Sequence, residues 1–176
     1  MAHLRFRLWH GFLRASGGVG MSKSLKRVRA ALQAAGIESE IVEMAEGTRT
    51  AEDAARAAGC AVDQIVKSIV FRGAESGHVV LFLTAGGNRV SADKASAVAG
   101  QRLGKADADL IRAETGFAIG GVAPLGHLTP IRSFFDPRLL DFATVWAAAG
   151  TPRHVFAASP GSLLAATGAR TADFVE

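Results

Sequence analysis

The stretch Lys67-Ser-Ile-Val-Phe-Arg72, then Gly73 to Gly77, then His78-Val-Val-Leu-Phe-Leu-Thr84, decides the fold of this chain. The two outer segments are rich in β-branched and aromatic residues, which favour β-strands. The segment between them begins and ends in glycine, as hairpin loops often do. The stretch therefore predicts two antiparallel strands joined by a short loop.

Helices and further strands are predicted on both sides of this hairpin. Periodic apolar residues, polar N-caps and terminal glycines predict the helices, and Thr50-Ala-Glu-Asp53 has the pattern of a capping box. The predicted helices cover 22–36, 50–59, 91–99, 107–115 and 159–168, and the further strands cover 39–44, 144–148 and 154–158. These elements are interspersed without a regular repeat. We therefore expect a mixed α/β domain with a largely antiparallel or mixed sheet.

Length and composition indicate one folded domain. The chain has 176 residues, of which 49% are hydrophobic and 20% are charged, which is enough apolar material for one core. Cys60 is the single cysteine, so neither an intramolecular disulfide nor a cysteine-cluster zinc site can form. The apolar runs are far shorter than the ~20 residues of a membrane-spanning helix. We expect a protein of the reducing cytoplasm without membrane contact.

Residues 1–20 differ in character from the rest of the chain. They contain Arg5, Arg7 and Arg14 but no acid, and they end in a glycine-rich run. Because these arginines supply most of the formal net charge of +4, overall basicity is weak support for nucleic-acid binding. We expect a disordered N-terminal extension over 1–20 and the folded domain over 21–176, since a well-formed helix start follows Met21. A targeting peptide is the alternative for the extension.

Lys67 is the first candidate functional residue. Strand alternation places its side chain on the same face as Ile69 and Phe71. Such a lysine either extends its ammonium to water at the strand end or lies at a pocket wall. In a pocket, a low dielectric would strengthen its attraction for carbonyl or phosphate oxygens. The pattern leaves both interpretations open.

The second candidate is the glycine-rich loop Gly120-Gly-Val-Ala-Pro124. Glycines let a backbone approach a ligand closely and point its N–H groups at the ligand, as in an oxyanion hole. A tight structural turn held by Pro124 is the alternative. His127 follows this loop and is either a proton-exchanging residue or a structural hydrogen-bonding residue.

The common catalytic signatures are absent from the sequence. It has no G-x-S-x-G elbow, no Walker loop, no H-E-x-x-H and no G-x-G-x-x-G after a strand. His78 and His154 lie in predicted strands without nearby ligand partners, so we assign them no metal role. Cys60 is better explained as a packed side chain than as a nucleophile. A DNA-binding module is disfavoured, because neither a helix-turn-helix nor a basic stripe is present.

Three segments together resemble one known family. They are Gln64-Ile-Val-Lys-Ser-Ile-Val-Phe71, Asn88-Arg-Val-Ser-Ala-Asp-Lys94 and Thr115-Gly-Phe-Ala-Ile-Gly-Gly-Val-Ala-Pro-Leu-Gly-His127. On these segments the chain from about residue 22 to residue 176 resembles the YbaK/EbsC family, which is related to the insertion domain that edits the products of prolyl-tRNA synthetase. The combination of a strand lysine with a G-x-x-x-P loop is more specific than either part. The resemblance implies one compact domain with a curved, partly barrel-like sheet surrounded by short helices.

The resemblance also implies an activity. A free-standing editing factor of this kind hydrolyses the ester of a mischarged aminoacyl-tRNA, above all tRNA for proline carrying alanine or cysteine. The implied catalytic residues are Lys67, Gly120 and Gly121. The implied substrate-binding residues are Ile69, Phe71, Val122, Ala123, Pro124, Gly126 and His127. Neither a metal nor a cofactor is implied.

The implied mechanism needs no protein nucleophile. An aminoacyl ester is already activated, so positioning water and stabilising the oxyanion are sufficient. The expected partner is the acceptor end of mischarged tRNA, with an association with prolyl-tRNA synthetase as a further expectation. Neither a membrane nor duplex DNA is expected as a partner. The alternative is a non-catalytic protein that binds a nucleotide or a tRNA end in the same groove.

Overall fold

The computed structural model describes residues 21–45 and 48–176, and the backbone of 13–15. The helices are α1 (Lys23–Ala34), α2 (Ala51–Ala58), α3 (Ala92–Ala99), α4 (Ala108–Thr115) and α5 (Pro160–Thr167). The strands are β1 (Leu13–Ala15), β2 (Ile41–Met44), β3 (Ile65–Gly73), β4 (Val79–Ala85), β5 (Leu103–Lys105), β6 (Arg132–Phe135), β7 (Val145–Ala148), β8 (His154–Ala158) and β9 (Arg170–Thr171). Two 3-10 helices cover Val62–Gln64 and Pro137–Asp141. In this described part, no helix has the length and apolar character that crossing a bilayer requires.

The strands form one open, mixed sheet. Its order is β1-β2-β8-β7-β3-β4-β6-β9, with β5 beside β3. The contacts of β3 with β7, of β4 with β6 and of β6 with β9 are parallel, and the other strand pairs are antiparallel. The predicted class, a single mixed α/β domain, is confirmed.

The β3–β4 hairpin is confirmed and lies in the interior of the sheet. Its register places Lys67 opposite Thr84 and Arg72 opposite Val79. Every residue of β4 is buried, so this strand carries apolar cores on both of its faces. The main core contains Val66, while Phe71 packs against a second cluster around Phe82.

Local sequence signals explain the helix boundaries. In α2 the Thr50 hydroxyl accepts the Asp53 N–H at 3.1 Å, and the Asp53 carboxylate accepts the Thr50 N–H at 3.2 Å. The predicted capping box is therefore present, and Gly59 ends the helix with a φ of +68°. Strands β5, β6 and β9 were not predicted, because each is short and pairs with residues distant in sequence.

The structure describes few of the residues for which N-terminal disorder is predicted. Residues 1–12 and 16–20, on which most of the predicted disorder falls, lie outside them. The backbone of β1 differs from that prediction, since it pairs antiparallel with β2, with Leu13 opposite Met44. The domain boundary at Met21 stays a prediction.

Candidate active site

The sheet has a gap beside β3. Along one side, β3 pairs with β4. Along the other side, β7 pairs with Ile65 and Val66, and β5 pairs with Phe71 to Gly73. Among the described residues, residues 67–70 therefore have no strand on that second side. A pocket opens at this gap.

The pocket has a volume of about 170 Å³. Its walls come from the start of β3, from α2 and the residues before it, from the β7–β8 hairpin, and from the loop that carries Gly120 and Val122. The α2 wall consists of Ala51, Ala54 and Ala58, which share one helix face. Pockets for drug-sized ligands usually measure about 300 to 1,000 Å³, so this pocket suits a smaller group.

Lys67 is half-buried at the edge of the pocket, on a strand whose register is fixed by β4. Its Nζ donates a hydrogen bond to the carbonyl oxygen of Asn88 at 2.5 Å. Burial lowers the pKa of Lys67, the negative charges of Glu52, Asp136 and Asp63 oppose that shift, and the Arg89 charge adds to it. The ammonium is thus held in place at the pocket and is not free in solvent.

The glycine loop forms part of the pocket wall and contains two backbone N–H groups without an acceptor among the described residues. Ala118 to Gly121 form a turn in which the Gly121 N–H donates to the Ala118 carbonyl at 3.0 Å. Gly120 has a φ of +85°, a conformation that glycine adopts without strain. Within residues 21–45 and 48–176, the N–H groups of Gly120 and Val122 donate no hydrogen bond. These two residues line the pocket, which makes their N–H groups the candidate donors to an oxyanion.

Gly121 is required by packing. A Cβ at this position would lie 2.6 Å from backbone atoms of Thr151 and 2.9 Å from the Pro152 nitrogen. The glycine therefore lets the loop approach the turn between β7 and β8. This contact holds Gly120 and Val122 against the far wall of the pocket.

His127 stabilises the same loop through a hydrogen bond to its backbone. Its Nε2 lies 2.7 Å from the carbonyl oxygen of Ala123, an acceptor, so we assign the proton to Nε2. Burial lowers the pKa of His127, the Ala123 hydrogen bond opposes that shift, and the positive charge of Arg27 adds to it. Arg27 donates to the carbonyls of Gly116 and Gly126 at 2.7 and 3.2 Å. His127 does not line the pocket.

The structure thus brings together Lys67, Gly120 and Val122 and places the other predicted site residues around them. Ile69 and Phe71 lie in the second core, where the Phe71 ring meets the Phe82 ring edge-on at 5.7 Å. The remaining predicted residues belong to the supporting part of the loop. They are Gly121, Ala123, Pro124, Gly126 and His127. Substrate contacts by these residues and by the second-core pair stay predictions.

Sequence reasoning missed several pocket residues. Ser68 lines the pocket, and its buried Oγ has no hydrogen-bond partner among the described residues. His154 lines it from β8, with Nδ1 2.6 Å from the Thr151 hydroxyl oxygen. Burial lowers the pKa of His154, the Glu43 charge opposes that shift, and the Arg153 charge adds to it. No local motif marks these positions, because the pocket joins elements that are distant in sequence.

The fold and the site define a class: a small mixed α/β domain with one lysine and a glycine turn at a gap in its sheet. The chain belongs to the aminoacyl-tRNA editing domain family, whose model matches residues 45–166. The resemblance seen in the sequence is thereby confirmed.

Individual relatives agree with this family assignment. The chain is 30% identical over 140 residues to the uncharacterized protein YwhH of Bacillus subtilis (strain 168), covering 80% of this chain and 88% of the relative. A crystal structure of a candidate trans-editing enzyme for prolyl tRNA synthetase is 47% identical, with a TM-score of 0.83, over 89% of this chain and 99% of that one. The hypothetical protein APE2540 is 29% identical, with a TM-score of 0.77, over 85% and 99% of the two chains.

Proposed function

We propose that this protein is an aminoacyl-tRNA deacylase that acts in trans on tRNA for proline carrying alanine or cysteine. The observation that carries the proposal is that Lys67 and the Gly120 turn line the same small pocket. Membership in the editing family supports ester hydrolysis on tRNA. The similarity to a candidate trans-editing enzyme for prolyl tRNA synthetase supports the choice of tRNA.

The proposed reaction is addition of water to the ester carbonyl. The water oxygen bonds to the carbonyl carbon, and the negative charge of the tetrahedral intermediate forms on the former carbonyl oxygen. The N–H groups of Gly120 and Val122 donate to that oxygen, which removes much of the cost of the charge. The bond from carbon to the ribose oxygen then breaks, the ribose oxygen takes a proton from the attacking water, and the free amino acid leaves.

In this scheme the positive charge of the Lys67 ammonium attracts substrate oxygens. The ammonium lies at the pocket edge and already binds one carbonyl oxygen, that of Asn88. In a partly buried site, such a charge attracts the oxygens of the substrate more strongly than it would in water. By the resemblance to the YbaK/EbsC family, the 2′-hydroxyl of the terminal ribose assists the water, and among the described residues the pocket lining contains neither aspartate nor glutamate.

The pocket size supports a small aminoacyl group. A volume of about 170 Å³ with three alanines on one wall is enough for a small aminoacyl group such as alanyl or cysteinyl, and the nucleotide then lies outside.

The test is a panel of tRNAs for proline charged with alanine, cysteine, serine or proline. Each is incubated with the protein, and loss of the ester is followed against a protein-free control. We expect rapid loss of alanine or cysteine and retention of proline. Binding of the charged tRNAs without loss of any ester would overturn the proposal and favour a non-catalytic tRNA-end binding protein.

A further inference from the structure

A buried carboxylate lies behind Lys67 and is not used by the proposed reaction. Asp136 follows β6 and is 2% exposed. Its Oδ2 accepts the Ala85 N–H at 3.0 Å and the Asn88 side-chain amide at 2.8 Å. Its Oδ1 accepts the Arg138 N–H at 2.9 Å. A buried carboxylate is costly without such donors, and most of these donors belong to one turn.

That turn runs from Ala85 to Asn88 and is held from two sides. Its ends are joined by the Asn88 N–H, which donates to the Ala85 carbonyl at 2.9 Å. The Gly87 N–H donates to Asp63 at 2.9 Å. Gly86 packs so closely on the first 3-10 helix that a Cβ would lie 2.1 Å from the Val62 carbonyl oxygen. The turn therefore has little freedom to move.

The fixed turn carries the acceptor of the Lys67 ammonium. The backbone carbonyl of Asn88 accepts from Lys67 Nζ, while the side chain of the same residue donates to Asp136. A lysine side chain has several rotatable bonds, and holding its end in one place costs conformational entropy. A rigid acceptor makes one position of the ammonium favourable.

We propose that Asp136 and Asn88 are positioning residues, which fix the carbonyl that holds the Lys67 ammonium at the pocket. The inference rests on the proposed function for its effect on catalysis. The competing interpretation is that Asp136 serves only the fold, as the cap of the 3-10 helix Pro137–Asp141. The two interpretations differ in what happens to Lys67 when the turn is loosened.

Two variants loosen the turn in different ways. Asn88→Ala removes the amide that Asp136 binds but keeps the backbone carbonyl and every charge. Asp136→Asn keeps the shape but turns an amide NH₂ toward donors, since all three partners of this carboxylate are donors. Asp107→Asn is the matched control, because Asp107 caps α4 by accepting the Leu110 N–H at 2.8 Å and does not line the pocket.

The decisive measurement is the reactivity of Lys67, which does not depend on turnover. The full chain is trace-labelled with acetic anhydride from pH 7 to pH 11, and labelling of Lys67 is compared by mass spectrometry with that of exposed Lys105. The charged groups that influence Lys67 are Glu52, Asp63, Asp136 and Arg89. Asn88→Ala keeps all of these charged groups. A change in Lys67 labelling in this variant therefore reports a change in the position of the ammonium.

We expect Lys67 labelling relative to Lys105 to rise about threefold or more in Asn88→Ala, on the scale of one lost hydrogen bond. In Asp136→Asn we expect labelling to rise and its midpoint to move to lower pH, because a negative charge that favours the ammonium is lost. Asp107→Asn should match the parent. Unchanged Lys67 labelling in folded Asn88→Ala would overturn the inference, and that variant decides the question if Asp136→Asn does not fold.

Kinetics on alanyl-tRNA for proline provide the second readout. We expect both variants to lose about tenfold in kcat with little change in KM, because the ground-state contacts of the pocket remain. Unchanged kcat in both variants would overturn the effect on catalysis. If the parent protein cleaves neither alanine nor cysteine from tRNA for proline, the proposed function fails, and the labelling result still decides the positioning role.

Discussion

Lys67 is the residue on which the proposed chemistry depends most. We predict that Lys67→Ala lowers single-turnover deacylation of alanyl-tRNA for proline at least about tenfold, or roughly 1.4 kcal/mol of transition-state stabilisation. The reason is the loss of the charge at the pocket edge, where Nζ now meets the Asn88 carbonyl. Lys67→Arg should not fully restore the rate, since a planar guanidinium requires a different geometry.

The control for Lys67→Ala is Lys105→Ala, which removes an exposed lysine from the neighbouring strand β5. It should retain the parental rate. Parental rates for folded Lys67→Ala, on a substrate that the parent cleaves, would remove Lys67 from the proposed chemistry.

Ser68 is predicted to reduce the stability of the fold. Its Oγ is buried without a partner among the described residues, and replacing such a hydroxyl by hydrogen removes a cost of about 1 to 3 kcal/mol. We predict that Ser68→Ala unfolds at the same or a higher urea concentration than the parent. In the control Ser133→Ala, loss of the hydrogen bond to the Ile131 carbonyl should lower stability. A Ser68→Ala variant that unfolds at a clearly lower urea concentration would contradict the prediction.

At the scale of elements, the glycine turn needs glycine at two positions for two different reasons. Gly120 has a positive φ, and Gly121 has no room for a Cβ beside Thr151. We predict that Gly120→Ala costs about 1 to 2 kcal/mol of stability and that Gly121→Ala costs about 1 to 3 kcal/mol. Both should slow deacylation, because the backbone of the loop at the pocket would shift. Urea unfolding and single-turnover assays measure the two effects.

Gly161→Ala is the matched control for these glycines. This residue lies in α5 with open space around its Cβ position, so alanine should be neutral or stabilising. Parental stability and rate in Gly121→Ala would remove the contact with Thr151 from the description of the site.

The loop behind the turn should confer a pH dependence on stability. Burial lowers the pKa of His127 in the folded chain below the ordinary histidine value of 6.5. As pH falls through 6.5, His127 is therefore protonated in the unfolded chain before it is protonated in the folded chain. The His127 contribution is therefore complete above that value and is lost as pH falls through it. We predict that the urea midpoint falls less between pH 7.5 and pH 5.5 in His127→Gln than in the parent. An equal fall in both proteins would exclude His127 as the cause.

The candidate site could be predicted from the sequence only where single elements supply it. Lys67 and the glycine loop carry local signals, namely a charge on an apolar strand face and a cluster of glycines before a proline. Ser68 and His154 carry none, because their importance comes from the gap beside residues 67–70 of β3. The predicted grouping of Lys67 with Ile69 and Phe71 was right for the strand face, but that face leads into the second core beyond the pocket.

At the scale of the whole molecule, the hairpin and the helices could be predicted because caps, glycines and alternation are local. The parallel contacts of β6 with β4 and β9 could not, because strands of four and two residues carry little periodicity and their partners are remote. The order of the strands, and with it the pocket, therefore required the structure.

The extent of the domain gives a prediction at the same scale. A chain that begins at Met21 should keep the fold and the activity, because α1 has its own cap, in which the Ser22 hydroxyl accepts the Leu25 N–H at 3.2 Å. Among the described residues, the truncation removes the three-residue pairing of β1 with β2, so we predict that Tm falls by less than about 4 °C, the shift expected for about 1 kcal/mol. Thermal unfolding of both chains measures this. A much larger fall would place residues 1–20 in the core.

The alanine face of α2 lines the pocket but carries none of the proposed reacting groups. Ala51, Ala54 and Ala58 set the width of the pocket, while the charge and the backbone donors come from β3 and the glycine loop. Under the proposed function, a heavier side chain on that face would change which amino acid fits and leave the reacting groups where they are. One helix face would then give both natural variation and protein engineering a means to produce a series of hydrolases that share one chemistry and differ in the residue they remove.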